Sequence, residues 1–251
     1  MIDIHSHVVW AVDDGPTSLE ESLAMLQASA ADGVTDIVAT SHSNQRYAYD
    51  AELVQGRIAE LGRCTAHPRI HRGCEFHLTF DNVDQLLENH TAFTINGTRY
   101  LLLECPDFHI GRHTEAVLQR LIDVALVPIV AHPERNPQLQ KALNRLESWI
   151  ELGCLAQVTS LSITGGFGGP PRSAAMKIIE RGLAHMVASD AHDSKHRHPR
   201  LSAAYAVVRR SFDEDTADLL FTHNPNCVIQ GLPVARGMLA AATPGRRWWP
   251  F

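Results

Sequence analysis

The sequence lacks three features that would point to other classes of protein: an excess of basic charge, a long apolar run and paired cysteines. Its 22 lysines and arginines against 28 aspartates and glutamates leave a formal net charge of -6, which argues against a nucleic-acid partner. No apolar run approaches the roughly 20 residues needed to cross a bilayer, and the opening MIDIHSH does not resemble a signal peptide. We therefore expect neither secretion nor a transmembrane segment.

Cysteine is scattered rather than paired, and aromatic residues are few. The cysteines are Cys64, Cys74, Cys105, Cys154 and Cys227. An odd number with no C-x-x-C spacing predicts neither a disulfide framework nor a thiolate zinc site, and it fits a reducing cytoplasm. Aromatic residues make up 6% of the chain, whereas there are 15 histidines. This excess of imidazole makes metal binding or acid–base chemistry the first function to test.

Short apolar strands alternate with helices along the chain. The predicted strands span residues 1–7, 36–40, 70–76, 100–104, 127–131, 155–158 and 185–188. The predicted helices span residues 19–32, 50–62, the 80s, 113–125, 138–151, 172–181, 199–210 and 214–222. Because the strands are almost continuously apolar, they predict a parallel sheet covered by helices. Seven such units predict an α/β fold, a distorted (β/α)7 barrel of the TIM-like kind.

Local signals mark several boundaries. Ser18 and Glu21 form a capping box before the first helix, and Gly33 ends that helix. The Gly/Pro-rich segment 162–171 predicts a mobile loop over the rim after the sixth strand, and it lacks the G-K-[ST] of a nucleotide-binding loop. We expect one domain over residues 1–234 and a peripheral or disordered tail over 235–251. A weak membrane-surface contact through the RRWWPF end is the less favoured alternative.

Residues that commonly bind metals stand at the predicted carboxyl ends of every strand except the sixth, where parallel barrels carry their working residues. They are His5, His7, Asp14, His42, Glu75, Glu104, His132, Asp190 and His192. Any one of them is more often structural, but the H-x-H and D-x-H spacings point both side chains to one face. Nine nitrogen and oxygen ligands exceed the four to six or so that one ion takes, so two or three ions are expected. Imidazole with carboxylate and no thiolate favours Mn, Fe or Zn.

The charges of this set favour phosphate chemistry. Three divalent ions would outweigh its four carboxylates, attract a phosphate dianion and lower the pKa of a bridging water. Arg135 and Arg197 follow two of the candidate ligands and could grip phosphate, although surface salt bridges are an equally supported interpretation. No cysteine is followed by arginine at the C-x5-R spacing, which excludes a thiol-based tyrosine phosphatase.

Six phrases occur in the order and approximate spacing of the polymerase-and-histidinol-phosphatase (PHP) superfamily: DIHSHVVWAVDDGP, TSH, GCEFHL, LLLECP, AHPERN and ASDAH. Within it, the chain most resembles the bacterial manganese-dependent protein-tyrosine phosphatases of capsule and exopolysaccharide loci. The resemblance runs from residue 1 to about residue 234 and includes the late phrase HNPNCVIQG. It implies the PHP form of the barrel.

The resemblance also implies a centre of three divalent metal ions, with Mn expected and Fe or Zn as alternatives. His5, His7, Glu75 and Asp190 would hold one ion; Glu75, Glu104 and His132 a second; Asp14, His42 and His192 the third. Arg135 and Arg197 match the family's phosphate-binding arginines. The implied substrate is the phosphotyrosyl tail of a bacterial tyrosine autokinase, hydrolysed by a metal-bridged hydroxide without a covalent intermediate.

Two other functions remain open at this stage. A PHP phosphatase could act on a small phosphomonoester such as histidinol phosphate. The candidate site residues recognise the phosphate, whereas the loops recognise the leaving group, so the site residues do not distinguish these substrates. A metal-binding regulatory module without catalysis is the third hypothesis, although such a relic would be expected to have lost ligands. Phosphotyrosyl protein is the substrate that the resemblance favours.

Overall fold

Parallel strands form the centre of the molecule. The structure is a computed structural model, described here for residues 1–79, 82–106 and 110–235. The strands are β1 Ile2–Ser6, β2 Asp36–Ala39, β3 His42–Ser43, β4 Arg69–Arg72, β5 Glu75–His77, β6 Tyr100–Glu104, β7 Val127–Ala131, β8 Leu155–Thr159 and β9 Met186–Ala188. They pair in the orders β1-β2-β4 and β3-β5-β6-β7-β8-β9, and every pairing is parallel.

The first and last strands close these sheets into a barrel. Ser6 bridges Ala191, His7 N donates to the Ala191 carbonyl at 2.8 Å, and Asp190 N donates to the His5 carbonyl at 2.8 Å. Strand β2 is followed directly by β3, and β4 by β5, so the nine strands of the described residues occupy seven positions around the barrel. The predicted distorted (β/α)7 barrel is confirmed.

The strand predicted over residues 70–76 is interrupted at Gly73. A Cβ on Gly73 would lie 2.8 Å from Val38 Cγ1, so only glycine allows this close approach of neighbouring strands. After the interruption, Glu75 N reaches the carbonyls of Thr40 and Ser41 at 3.3 and 3.2 Å. This interruption moves the chain from the β1-β2-β4 sheet to the sheet that contains β3 and β5. There Glu75 of β5 pairs with His42 of β3.

Twelve α-helices surround the strands in the described part of the chain. They are α1 Leu19–Ala31, α2 Ala51–Cys64, α3 Val83–Glu88, α4 His90–Phe93, α5 Thr114–Asp123, α6 Pro137–Lys141, α7 Leu143–Leu152, α8 Ser160–Thr164, α9 Gly169–Glu180, α10 Ser202–Ser211, α11 Glu214–Asp218 and α12 Asn224–Gln230. A 3-10 turn at Ile95–Gly97 precedes β6, and a π turn at Leu219–His223 joins α11 to α12.

Helix α1 begins and ends where predicted. The Ser18 side chain accepts a hydrogen bond from Glu21 N, and Gly33 follows the helix with φ +86°. The Glu21 carboxylate in turn accepts hydrogen bonds from the Ser18 amide and from Thr17 N, the latter at 2.7 Å. The start of the helix therefore carries the predicted capping box and one additional bond.

Two predictions about later segments were wrong. The helix predicted over 138–151 is two helices, α6 and α7, separated at Ala142, whose φ of -133° is not helical. The segment 162–171 is not wholly a loop, since α8 extends to Thr164 and α9 begins at Gly169. Proline is compatible with the first turn of a helix, where its missing N–H needs no partner, so the prolines of this segment start α9.

The core consists of apolar side chains on both faces of the strands. Trp149, Tyr100 and Phe76 are the largest side chains among those that are fully buried. In the ranges that the structure describes, no helix combines the length and the apolar character that a bilayer crossing requires. Ala235 is tied to Asn224 by two hydrogen bonds of 3.1 and 3.2 Å, and the remainder of the predicted tail, 236–251, lies outside the described residues.

Candidate metal centre

All nine predicted ligand residues lie at the carboxyl end of the barrel. His5, His42, Glu75 and Glu104 stand on β1, β3, β5 and β6; His7, His132, Asp190 and His192 follow the ends of β1, β7 and β9; Asp14 lies in the loop after β1. The parallel arrangement explains the convergence, because strand ends that are distant in sequence meet at one rim.

The most buried group joins residues from both ends of the chain. One ligand atom from each of His5, His7, Glu75 and Asp190 lies within 4.8 Å of all the others. His5 Nε2 is 3.3 Å from Glu75 Oε2 and 3.3 Å from Asp190 Oδ1, and His7 Nε2 is 3.2 Å from Glu75 Oε2. Both Nε2 atoms are buried without a hydrogen-bond partner among the described residues. Buried nitrogens that face carboxylates in this way fit a shared cation.

A second group surrounds the more exposed Asp14. Ligand atoms of Asp14, His7, His42 and His192 lie within 4.8 Å of one another. Asp14 Oδ1 is 3.4 Å from His42 Nε2 and 3.3 Å from His192 Nε2. The structure thus brings together the three residues predicted for the third ion and adds His7 to them.

The remaining predicted set gathers around Glu75 and Glu104. Ligand atoms of these two carboxylates and of His42 lie within 4.8 Å of one another. His132 Nε2 is 2.9 Å from Glu75 Oε1 and 3.7 Å from Glu104 Oε1. Glu75 therefore contacts side chains of every group, which suits a residue that bridges between ions.

The imidazole rings are oriented by residues outside the ligand set. His7 Nδ1 donates to Asp13 Oδ2 at 2.7 Å, and His5 Nδ1 donates to Gln157 Oε1 at 2.9 Å. In each ring a donating Nδ1 leaves Nε2 as the lone-pair nitrogen that faces the carboxylates. Asp13 also accepts from the amides of His42 and Gly15, both at 3.0 Å. One carboxylate thereby holds two candidate ligands in place.

Three further residues at the centre, Asp13, Gln157 and His77, carry no sequence pattern that predicts a role. Gln157 lies on β8, so the sixth barrel position does contribute to the centre, although not with a predicted ligand. His77 pairs with Glu104 Oε2 at 2.8 Å. A glutamine inside the apolar strand LAQVT was the signal available for Gln157, because a buried polar side chain needs a partner.

Two candidate ligands have unusual backbone conformations. His132 has φ +32° and Asp190 has φ +53°, and they are two of five non-glycine residues with positive φ in the described ranges. His132 directly follows β7, and Asp190 lies just after the end of β9. Left-handed backbone at a non-glycine residue costs free energy and occurs preferentially at functional sites, so these two conformations support a functional role for the rim.

Charge within the centre keeps the Glu75 carboxylate ionised. Burial raises the pKa of Glu75, but the neighbouring His5 and His132 more than offset this and hold it well below its ordinary value. Burial lowers the pKa of His7, yet the adjacent Asp13 carboxylate raises it well above the ordinary value. For His192, burial and repulsion from His7 lower the pKa to about 4. A bound cation would take the place of the proton that the His7 ring otherwise holds, whereas the His192 ring is already neutral at pH 7.

Arg135 and Arg197 meet at one carboxylate. Arg135 Nη1 and Arg197 Nη2 both donate to Asp190 Oδ2, the latter at 2.7 Å. Burial raises the pKa of Asp190, but His5 and Arg197 outweigh it and lower the pKa below its ordinary value. Arg197 Nε is buried and has no hydrogen-bond partner among the described residues. This guanidinium nitrogen beside the cluster has donor capacity that no described residue uses.

A family model described as "Capsular polysaccharide synthesis, CpsB/CapC" matches residues 1–230. The chain belongs to the CpsB/CapC family. Its relatives include the putative tyrosine-protein phosphatase CapC of Staphylococcus aureus, 37% identical over 202 residues that cover 78% of this chain and 79% of that protein. The tyrosine-protein phosphatase CpsB of Streptococcus pneumoniae is 33% identical over 91% of this chain and 98% of its own length. The predicted resemblance to capsule-locus tyrosine phosphatases is confirmed.

Solved structures agree with this membership of the CpsB/CapC family. The barrel superposes with a TM-score of 0.84 on a structure from a study of YwqE from Bacillus subtilis and CpsB from Streptococcus pneumoniae, described as unique metal-dependent tyrosine phosphatases. That match has 30% identity and covers 94% of this chain and 97% of the other. A β-aspartyl dipeptidase from Fervidobacterium islandicum, at TM-score 0.60 and 15% identity, shares the fold alone.

Proposed function

We propose that this CpsB/CapC family chain is a metal-dependent tyrosine-protein phosphatase of capsule or exopolysaccharide synthesis. Its substrate is phosphotyrosine in the tail of a bacterial tyrosine autokinase, and it acts in the cytoplasm. The observation that carries the proposal is the meeting of nine histidines and carboxylates at one rim beside Arg135 and Arg197. Relatives named as tyrosine-protein phosphatases support it.

The centre suits three divalent ions, with Mn expected and Fe or Zn as alternatives. One ion would lie among His5, His7, Glu75 and Asp190; the second among Glu75, Glu104 and His132; the third among Asp14, His42 and His192. When bound, such ions activate water and offset the negative charge of a phosphate ester. Buried imidazole nitrogens that face carboxylates but have no hydrogen-bond partner among the described residues support this set of ligands.

Arg135 and Arg197 bind and orient the phosphate. Both guanidinium groups lie against the Asp190 carboxylate, so they stand within reach of a group bound beside that residue. A planar fork of donors matches two phosphate oxygens, and the buried Arg197 Nε supplies a donor that is otherwise unused. The arginines thereby fix the orientation of the phosphate, and with it the direction in which the ester bond points.

The reaction proceeds without a cysteine intermediate. All five cysteines lie among the described residues, and each is free. Burial raises the pKa of Cys105 and of Cys154 to about 12, so these thiols stay protonated at neutral pH. Cys74, next to Glu75, is buried and has its pKa raised as well. A thiolate nucleophile at the centre is therefore not supported.

The proposal is tested by assaying protein purified without chelator on a phosphotyrosyl peptide and on histidinol phosphate. We expect the peptide to be the better substrate, EDTA to abolish its hydrolysis, Mn to restore it, and iodoacetamide to have no effect. Elemental analysis should find three ions per chain. Inactivation by iodoacetamide with resistance to EDTA would overturn the mechanism. Faster turnover of histidinol phosphate would replace the substrate with the small-molecule alternative.

A further inference from the structure

One aromatic ring lies directly against a proposed phosphate-binding arginine. The guanidinium carbon of Arg135 is 4.8 Å from the centroid of the Phe167 ring. Through Nη1 the same guanidinium donates to the buried Asp190 carboxylate. Phe167 is half-buried, whereas Asp190 is almost fully buried. The arginine therefore connects the interior of the centre to an aromatic ring that solvent reaches.

Phe167 is held in a turn that glycine residues make possible. Gly165 and Gly168 have φ of +92° and +88°, in the left-handed region that glycine adopts most readily. Gly168 N donates to the Gly165 carbonyl at 3.0 Å, and Gly166 N donates to the Leu161 carbonyl at 2.8 Å. These bonds anchor the turn to α8. The position of the Phe167 ring is thus determined by a hydrogen-bonded backbone between α8 and α9.

We propose that Phe167 contacts the leaving group of the substrate and selects aryl over alkyl phosphate monoesters. The inference rests on the proposed function, because it requires Arg135 to bind the phosphate. A phosphate bound to Arg135 places the ester substituent beside the half-buried Phe167 ring. A phenyl substituent can then stack on the ring, whereas a small alkyl group offers far less area. The sequence alone does not decide between an aryl and an alkyl leaving group.

Binding of non-hydrolysable ligands isolates the ring contact. Phenylphosphonate and methylphosphonate share the charged group and differ in the substituent, so the ratio of their dissociation constants reports the substituent alone. In calorimetry with the Mn-loaded protein, we expect Phe167→Leu to reduce the preference for phenylphosphonate roughly tenfold. Phe167→Tyr, which keeps the ring, should retain the preference. The affinity for inorganic phosphate should change by no more than about twofold in either variant, because the contacts to phosphate remain.

A matched control comes from another aromatic–guanidinium pair at the same end of the barrel. The Trp10 ring, in the loop after β1, is 4.9 Å from the guanidinium carbon of Arg57 on α2, which is not part of the proposed phosphate site. Trp10→Leu should leave the ratio of the two phosphonate affinities unchanged. An equal loss of preference in Trp10→Leu and Phe167→Leu would overturn the assignment to Phe167.

Two further results would contradict the inference. An unchanged ratio in Phe167→Leu would show that the ring does not touch the substituent. Equal weakening of phenylphosphonate, methylphosphonate and inorganic phosphate would show that Phe167 acts only by positioning Arg135. The proposed function fails separately, if wild-type protein does not hydrolyse a phosphotyrosyl peptide. Because the phosphonate test measures binding, it remains readable whatever the rate of hydrolysis.

Discussion

Asp13 acts on several parts of the candidate centre through one carboxylate. It accepts hydrogen bonds from the His7 ring and from the amides of His42 and Gly15. Removing it frees the His7 ring to rotate and leaves Nδ1 without its acceptor. We predict that Asp13→Ala lowers Mn affinity by about 10- to 100-fold, as loss of a residue that orients a ligand usually does. Calorimetric titration of metal-free protein measures this.

The control for Asp13 is another aspartate that accepts backbone hydrogen bonds. Asp50 caps α2 by accepting from the amides of Glu52 and Leu53, both at 3.0 Å. Asp50→Ala should cost about 1 kcal/mol of unfolding free energy and leave Mn affinity unchanged. Unchanged affinity in Asp13→Ala would show that the ring of His7 is held by its packing alone.

Single residues were predictable where chemistry depends on residue type and strand position. The meeting of His5, Glu75 and Asp190 at one rim could be predicted because a parallel barrel brings the ends of its strands together. The partners of these candidate ligands could not be predicted, since which carboxylate or amide faces a ring depends on side chains that meet only in the folded state. Gln157 and His77 are examples.

At the scale of elements, the interruption between β4 and β5 depends on Gly73. A methyl group there would approach Val38 Cγ1 to 2.8 Å and Thr40 Cγ2 to 3.2 Å. We predict that Gly73→Ala lowers the unfolding free energy by about 1–3 kcal/mol, because the strands must separate to admit it. Urea denaturation in the presence of chelator measures the loss without a contribution from bound metal.

Gly62 provides the control for Gly73. It lies within α2, and no heavy atom would lie within 4 Å of an added Cβ. Gly62→Ala should therefore raise the unfolding free energy by up to about 1 kcal/mol, through higher helix propensity. Equal stability of Gly73→Ala and wild type would mean that the strands adjust at no cost.

An ion pair joins α5 to α7 and should make stability depend on pH. Glu115 accepts from Arg145 Nε at 2.7 Å and from Trp149 Nε1 at 2.9 Å. The hydrogen bond from Arg145 lowers the pKa of Glu115 to about 2, against the smaller opposing effect of burial. Because the pKa of Glu115 is lower in the folded chain than its ordinary value of about 4.5, the ionised carboxylate stabilises the fold at pH values above about 4.5. That stabilisation is lost as the pH falls toward 2.

Comparison of wild type with Glu115→Gln tests this pair. The difference in unfolding free energy should be largest above pH 5 and should shrink steadily between about pH 4.5 and pH 2. Urea denaturation at several pH values measures it. Glu147→Gln removes an exposed partner of Arg181 and should give a small difference throughout. A constant difference for Glu115→Gln would show that the carboxylate charge is not responsible.

The order of elements was predictable because it follows from hydrophobic periodicity, whereas their interruptions were not. Apolar spacing continues across Gly73 and across Ala142, so the pattern predicted one strand and one helix where the structure has two of each. The division at Gly73 depends on the approach of Val38 from another strand. Contacts of that kind are tertiary, and a local pattern does not contain them.

At the scale of the whole molecule, bound metal should stabilise the barrel. Candidate ligands from most of the strands meet at one rim, so cations that bind there only in the folded chain would favour folding by mass action. At free Mn about 100 times the dissociation constant, the gain is about 2.7 kcal/mol for each ion site. For a chain of this size, we predict a rise in Tm of roughly 5–10 °C for each occupied site, relative to protein in EDTA. Thermal unfolding followed by circular dichroism measures it.

The variant His5→Ala is the control for the metal effect. It removes a buried nitrogen of the most enclosed group and should abolish the part of the rise in Tm that this group contributes. Addition of Mg in place of Mn should give a smaller rise, because imidazole is a poor ligand for Mg. An identical Tm in Mn and in EDTA would contradict the assignment of this rim as a metal centre.

The contact between β1 and β9 determines when the enclosed group can form during synthesis of the chain. His5 and His7 are synthesised before Asp190 and Ala191, and the seam that pairs them exists only once β9 has emerged. A nascent chain without β9 cannot assemble the enclosed group, and neither can a chain truncated before this strand.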